Sequence, residues 1–436
     1  MAIDGRKIVA FVPAKGSSDR IENKNTRLLD GLPLYLHAIR LLMSCEFIDE
    51  VYLDTDSPEI IKGAAHFGCR FIERDPQLAT NSTDGNKLLR NQIEHASADI
   101  YVQLLCTSPF IKKQTIHDAC LSLVGQSEYD SVTLVRREKQ YQWRDNEPLY
   151  NIDRIPNSST LPDAVVETMG LYVITREAAA STGRRIGIKP LLMEVSPLES
   201  IDVNWPDDFD LAELIAAGRR EKSRKYLLTL RNHLSSAMLS DILDSLDQPN
   251  QVIRTLRPNL ATKVLGRARP LRLRKLAEGE RPEGIYAALD SYDWVVPFDV
   301  IVVENECADF AYFGELNANL AIRAGAVGAI IGGHSRDTIE VSAIEFPVFS
   351  HGSTCQDVRG RATLDYWNKP VTIDGVRIEP DWLIFADNEG VIVVPAAIEQ
   401  EVIELAFQSI RKERDILTDI ALGVDTALLT KKHGFF

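Results

Sequence analysis

The sequence predicts an α/β protein built as two successive units, and three observations carry that reading. From residue 7 to about 215, short apolar strands alternate with helical patterns, as in a mostly parallel sheet covered on both faces by helices. Beyond a charged stretch at 217–231, Gly-bounded strands follow one another with fewer long helices between them, which fits an α-β-β-α unit with its own core. The length, 436 residues, is enough for two or three such cores.

In the first unit the expected strands are 8–12, 50–54, 70–73, 100–105, 131–135, 169–174 and 200–203, with helices over 34–43, 58–67, 83–95 and 113–123. Ligands of such sheets sit at the carboxyl ends of the strands, where the loop after Pro13 lies. The segment AGRREKSRKYLLTLR at 217–231 lacks strand patterning; it reads as a solvated helical linker, with a basic interaction tail as the other reading. We divide the chain into a first domain over 1–218, a linker over 219–233 and a second domain over 234–436. The second opens with a helical pattern at 230–246 and continues through strands at 264–271, 300–303, 328–331, 346–349, 371–373, 382–387 and 390–394.

The composition is that of an ordinary globular protein, 45% hydrophobic and 26% charged. A formal net charge of −14 argues against nucleic acid or an anionic membrane as partner, so anionic ligands require local basic pockets. The six cysteines are scattered without metal-ligand spacing, as expected of buried reduced thiols. No apolar run is long enough to span a bilayer and the first residues lead straight into a strand, so a cytoplasmic protein is expected.

The loop VPAKGSSDRIENKN at 12–25 leaves the first strand through a turn of small residues and sets Lys15, Arg20 and Lys24 around a concavity. Polyphosphate binding requires such an arrangement, although a solvated basic loop has the same composition. Four further segments follow in order: Leu53-Asp54-Thr55-Asp56-Ser57, Arg74-Asp75-Pro76-Gln77-Leu78-Ala79-Thr80, Gln103-Leu104-Leu105-Cys106-Thr107-Ser108-Pro109, and Ile201-Asp202-Val203-Asn204-Trp205-Pro206-Asp207-Asp208. Together they resemble the acylneuraminate and 3-deoxy-octulosonate cytidylyltransferases, over about half the chain. The resemblance implies a Rossmann-like nucleotidyltransferase fold, CTP as co-substrate and Mg²⁺ as cofactor. It points to Pro13, Ala14, Lys15, Gly16, Ser17, Ser18, Arg20, Lys24, Asn25, Ala79 and Thr80 for the nucleotide, with Lys15, Arg20 and Lys24 on the triphosphate. Arg74, Gln103, Thr107 and Glu167 would face the acceptor sugar acid, and Asp202 with Asn204 would hold the metal. Two positions depart from the pattern. Lys15 stands where Arg is usual and cannot make its bidentate contact. Asn204 stands where a second Asp is common, so metal affinity should fall rather than vanish; Asp207 or Asp208 could compensate, although one of them is better suited to capping the helix that follows.

In the second half, Phe313-Gly314-Glu315-Leu316-Asn317 precedes a helical pattern and a strand, and Gly332-Gly333-His334-Ser335-Arg336-Asp337 closes the run, with twenty-one residues between Gly314 and Arg336. With Leu239-Ser240-Asp241-Ile242-Leu243, Gly266-Arg267-Ala268, the strand at 299–303 and Asp387-Asn388-Glu389-Gly390-Val391, this resembles the RraA-like family, which includes 4-hydroxy-4-methyl-2-oxoglutarate aldolases. The resemblance implies a pyruvate aldolase or lyase site. There Arg336, Gly314 and the N–H groups of Leu316 and Asn317 hold a 2-oxo acid, while Asp337 anchors Mg²⁺ or Mn²⁺ and Glu315 orients metal-bound water. His334 and His351 read as structural.

Ulosonic acids are built by adding pyruvate to an aldehyde sugar and are then activated by CTP. The fusion therefore suggests two steps around one metabolite, with small molecules (CTP, a sugar acid, pyruvate or another 2-oxo acid) as partners. The other reading is a monofunctional cytidylyltransferase, with a sugar acid or a phosphonate as acceptor, whose second domain regulates or assembles it. Either way a homo-oligomer is expected, a trimer or hexamer formed through the RraA-like domain.

Overall fold

The computed structural model describes residues 3–80, 82–125 and 128–434, which form two compact units, 1–216 and 217–436. In the first, strands β1 (Ile8–Pro13), β2 (Glu50–Thr55), β3 (Arg70–Glu73), β4 (Ile100–Leu104), β5 (Ser131–Glu138), β6 (Ala164–Thr175) and β7 (Pro190–Glu194) make one sheet in the order β7-β5-β6-β4-β1-β2-β3. β1 lies parallel to both β2 and β4, and β2 to β3; β6 alone runs antiparallel to its neighbours, β4 and β5. All six residues of β1 are buried, because helices on both faces leave a central parallel strand no solvent side.

Helices α1 (Leu34–Met43), α2 (Pro58–Ala64), α3 (Gly85–His95), α4 (Lys113–Leu121) and α5 (Arg176–Thr182) fill the intervals. The starts of α2, α3 and α5 are fixed by side chains that take up orphan N–H groups. Ser57 accepts from the Ile60 N–H, Asp84 from those of Asn86 and Lys87, and Thr175 from that of Ala178. The Asp84 cap explains why the helix expected from 83 begins at Gly85.

The expected strand at 200–203 does not form. The Val203 N–H donates to the Thr107 carbonyl at 2.8 Å, and the Asn204 and Trp205 N–H groups turn to the Asp208 carboxylate at 2.9 and 2.8 Å, so the segment becomes the approach to a helix. That helix, α6 (Pro206–Arg231), runs through the stretch read as a linker. Its Phe209, Ala212 and Ala216 sit in a core of the first unit with Ile21, Leu34 and Phe110, and its Leu227 and Leu230 in a core of the second. The helical pattern at 230–246 breaks, and α7 (Ser236–Ser245) starts afresh because Ser235 caps it.

The second unit is a mixed sheet with helices on its faces. Strands β8 (Val264–Lys275), β9 (Asp299–Asn305), β10 (Gly328–Gly332) and β11 (Val348–Ser350) are parallel. β12 (Leu383–Ala386) and β13 (Val391–Val394) extend the sheet antiparallel beyond β8. Helices α8 (Glu315–Ala324) and α9 (Thr338–Ala343) lie in the β9–β11 half of the chain path, and α10 (Glu399–Ala421) and α11 (Thr426–His433) close it. Residues of α7 and α10 pack on Phe385, Ile392 and Val394 of the sheet. A second, three-stranded parallel sheet joins Ala311–Phe313, His334–Ser335 and Gly352–Ser353, none of which the periodicity suggests because each is too short to show one. Among the described residues no helix is long and apolar enough to cross a membrane.

The start of α7 gives a test. The Asp387 carboxylate accepts from the Ser236 N–H at 2.9 Å, the Ser236 hydroxyl at 2.7 Å and the Glu389 N–H at 3.0 Å. Burial pushes this acid up, but those bonds outweigh it and hold it below the usual aspartate value. Asp387→Ala should cost about 1–2 kcal/mol, read as faster hydrogen–deuterium exchange in α7. Because the folded acid is depressed, its contribution is complete above about pH 4 and is lost as pH falls through the folded value; the variant should lack that acid limb.

Candidate functional sites

The loop after β1 closes one wall of a cleft of 540 Å³ at the carboxyl ends of the parallel strands. Its backbone is tied down at several points: the Ala14 N–H donates to the Asp54 carbonyl at 2.9 Å, the Gly16 N–H to Asp56 Oδ1 at 2.8 Å, and Asn25 Nδ2 to the Lys15 carbonyl at 2.7 Å. Gly16 is required by proximity, since a Cβ there would lie 2.8 Å from Ser57 Cβ. The Cys106 thiol donates to Asn25 Oδ1 at 3.2 Å; burial pushes it up to about 11, so it is a neutral donor and not a nucleophile.

Five cationic side chains line the cleft, Lys15, Arg20, Lys24, Arg74 and Arg185, against one acid, Asp19. Arg74 is compensated by Asp54, which leaves four cationic side chains against one acid on the wall, a locally positive surface in a chain of net charge −14. Lys24 is buried and donates to the Val203 carbonyl at 3.0 Å; burial lowers its pKa below that of an ordinary lysine. Arg20 stacks over Trp205 at 5.4 Å.

Of the residues expected at the nucleotide, Pro13, Lys15, Ser17, Ser18, Arg20, Lys24, Asn25 and Thr80 line the cleft. Ala14 is wholly buried beneath the loop, and Gly16 and Ala79 lie off the wall. Of the acceptor residues, Thr107 and Arg74 are on the wall, but Arg74 is heavily engaged: Nε meets Asp54 Oδ1 and Nη2 the Asp54 carbonyl, both at 2.8 Å. Gln103 is buried off the wall with Nε2 on Gln92 Oε1 at 2.6 Å, and Gln92 in turn donates to Asp54 Oδ2 at 2.6 Å. Glu167 is exposed on β6 and accepts from the Tyr172 hydroxyl at 2.6 Å.

Asp202 has one oxygen hydrogen-bonded by the Asn204 amide, while its buried Oδ1 has no hydrogen-bond partner. An orphaned carboxylate oxygen fits a divalent ion completed by phosphate and water. Among the described residues no three His, Cys, Asp or Glu side chains gather into an all-protein metal cage.

In the second unit the spaced motif does converge. Gly314 begins α8 directly against the pair, since a Cβ there would lie 2.4 Å from Asp337 Oδ2 and 2.9 Å from Arg336 Cγ. Asp337 sits at φ +53°, a left-handed conformation that Asp tolerates better than most residues, and its Oδ2 accepts from the Glu315 N–H at 3.2 Å. Arg336 lies 3.5 Å from Asp337 and 2.6 Å from Asp357, a partner on a loop without periodic signal that sequence reasoning missed. Glu315 and Leu316 are exposed in the first turn of α8. The Asn317 side chain donates to the Tyr312 carbonyl at 2.7 Å and serves the fold. His334 bonds the Ala308 carbonyl at 2.8 Å and His351 bonds Asp374 at 2.9 Å.

Comparison with known proteins follows the same division. Residues 9–172 match the Cytidylyltransferase family model, and residues 236–393 match the RraA-like (Aldolase/RraA) model. A Halalkalibacterium halodurans protein named "Putative 4-hydroxy-4-methyl-2-oxoglutarate aldolase" is 30% identical over 175 residues, 40% of this chain and 78% of that protein. The chain belongs to the RraA-like family in its second unit and matches the cytidylyltransferase family in its first. N-acylneuraminate cytidylyltransferase A of Danio rerio is 27% identical over 218 residues, 48% of this chain and half of that protein. The chain thus spans about half the length of the curated cytidylyltransferases it matches. A solved CMP:2-keto-3-deoxy-manno-octonic acid synthetase complexed with CTP aligns over 49% of this chain and 99% of its own, at 18% identity and a TM-score of 0.38.

The Asp54 network of the cytidylyltransferase-like unit is directly testable. Arg74→Met strands a fully buried carboxylate and should destabilise that unit by about 3–5 kcal/mol, seen as accelerated exchange in β1 and β2. Adding Asp54→Asn should recover part of the loss.

Proposed function

We propose that the first unit transfers a cytidylyl group from CTP to a sialic acid-like 2-oxo sugar acid. The observation that carries this is the cleft wall itself, with four cations besides the compensated Arg74 to one acid at the carboxyl end of the parallel strands. In this reading Lys15, Arg20 and Lys24 hold the triphosphate, and Ser17 and Ser18 allow close backbone approach. The acceptor hydroxyl oxygen attacks the α-phosphorus and its proton passes to solvent water, the bond to the bridging oxygen breaks, and pyrophosphate leaves with its charge neutralised by the same cations. Asp202, through its orphaned oxygen, with Asn204 beside it, would hold a Mg²⁺ whose charge supplements theirs.

For the RraA-like unit we propose carbon–carbon bond chemistry on a 2-oxo acid. Arg336, already poised between two carboxylates, would take the substrate carboxylate, with the N–H groups of the first turn of α8 beside it. Asp337, whose second oxygen is open, would hold a divalent ion that polarises the 2-oxo group, with Glu315 at its water. Making or cleaving a 3-deoxy-2-oxo sugar acid would supply or drain the acceptor of the first unit. The exposed Leu316 (75%) and Ile339 (79%) near this site favour its being covered in a homo-oligomer.

Pyrophosphate release from CTP and Mg²⁺, measured across a panel of 2-oxo sugar acids, tests the first assignment. Lys15→Ala and Arg20→Ala should each lower kcat/KM roughly 10²–10³-fold. Arg336→Ala should leave that reaction unchanged and abolish pyruvate release from the same acids. Silence of the unaltered protein toward every acid would overturn the cytidylyl reading.

A further inference from the structure

The cleft holds one cation that no motif points to. Arg185 comes from the segment between α5 and β7, which is pinned along its length. The Arg185 N–H donates to Asn86 Oδ1 at 2.9 Å, the Gly187 N–H to the Ser131 hydroxyl at 2.9 Å, and the Ile188 and Lys189 N–H groups to the Asp130 carboxylate at 2.7 and 3.0 Å. Its guanidinium lies over the Tyr172 ring at 4.9 Å, and that ring is itself fixed by the bond to Glu167. The other side is cleared by Gly85, where a Cβ would sit 2.0 Å from Arg185 Cζ. A rigid seat has been built around this one planar group.

What the seat lacks is an anion. Among the described residues no carboxylate pairs with Arg185, and its Nε is buried without a hydrogen-bond partner. The acids nearest in charge are committed, Asp84 to capping α3 and Glu167 to Tyr172. Burial accordingly lowers the pKa of the guanidinium. A desolvated guanidinium without a counter-charge is costly unless a ligand supplies one.

In the proposed reading the phosphates of a nucleotide are taken by Lys15, Arg20 and Lys24 on the loop after β1. Arg74 and Gln103, which the family pattern assigns to the acceptor, are tied to Asp54 and Gln92. We infer that Arg185 anchors the carboxylate of the acceptor acid in a bidentate fork and thereby restricts the first unit to acidic acceptors. This specificity role rests on reading the cleft as the CTP site.

The test separates the two. CTP binding in the presence of Mg²⁺ is measured by calorimetry, and pyrophosphate release is followed with N-acetylneuraminate and with its neutral methyl ester as probes. Arg185→Met should raise the KM for the acid roughly 30–100-fold and erase its advantage over the ester, while CTP affinity stays within about twofold, which also reports an intact fold. Gly85→Ala, which takes the guanidinium's space, should raise the same KM. A loss of CTP affinity in Arg185→Met would assign the residue to a phosphate and overturn the proposal, as would an unchanged preference for acid over ester. If the unaltered protein binds CTP but turns over neither probe, the carboxylate anchor falls and the CTP site stands. If it does not bind CTP, the underlying reading falls first.

Discussion

The first unit is organised around one buried carboxylate. Asp54, wholly enclosed at the end of β2, accepts from Arg74 and Gln92 through its side chain and from Arg74 and the Ala14 N–H through its carbonyl. Gln92 passes the connection to Gln103 on β4. One side chain and its carbonyl thus tie β1, β2, the segment after β3, α3 and β4 together beneath the floor of the cleft. Such a group is stabilising only while every partner is present, so the floor is rigid for the same reason that it is vulnerable. The loop above brings Lys15, Arg20 and Lys24 to the cleft wall.

The second unit repeats this solution in different residues. Arg269 is buried with Nε on Asp299 at 2.8 Å, and Asp299 itself is pushed up to about 6 by burial, with Arg269 pulling the other way. The pair sits at the start of β9, away from Arg336 and Asp337, and so holds the sheet rather than the proposed site. In both units a buried ion pair fixes the scaffold and a more exposed group of charges remains for ligands.

Much of this was legible in the sequence, and the exceptions have physical causes. Strands buried on both faces, such as 8–12 and 300–303, announce themselves as apolar runs, and Gly314 with Arg336–Asp337 could be found by interval because a glycine is needed where the pair packs. The segment 200–203 looked like a strand because its apolar residues alternate, but its N–H groups go to Thr107 and Asp208. Arg74 looked available because its partner lies twenty residues away in sequence. Arg185 and Asp357 lie in irregular segments whose positions are set by tertiary hydrogen bonds, and no periodicity reports on those.

The continuous helix α6 has a consequence for how such a protein can be divided. Its early turns supply Phe209 and Ala212 to one hydrophobic core and its late turns supply Leu227 and Leu230 to another. A cut late in the charged stretch, after Leu230, would remove both leucines from the interior of the second unit and leave voids, whereas a cut at 216/217 keeps the side chains of each core with their own unit. Where the helix is divided therefore decides whether the second core stays filled.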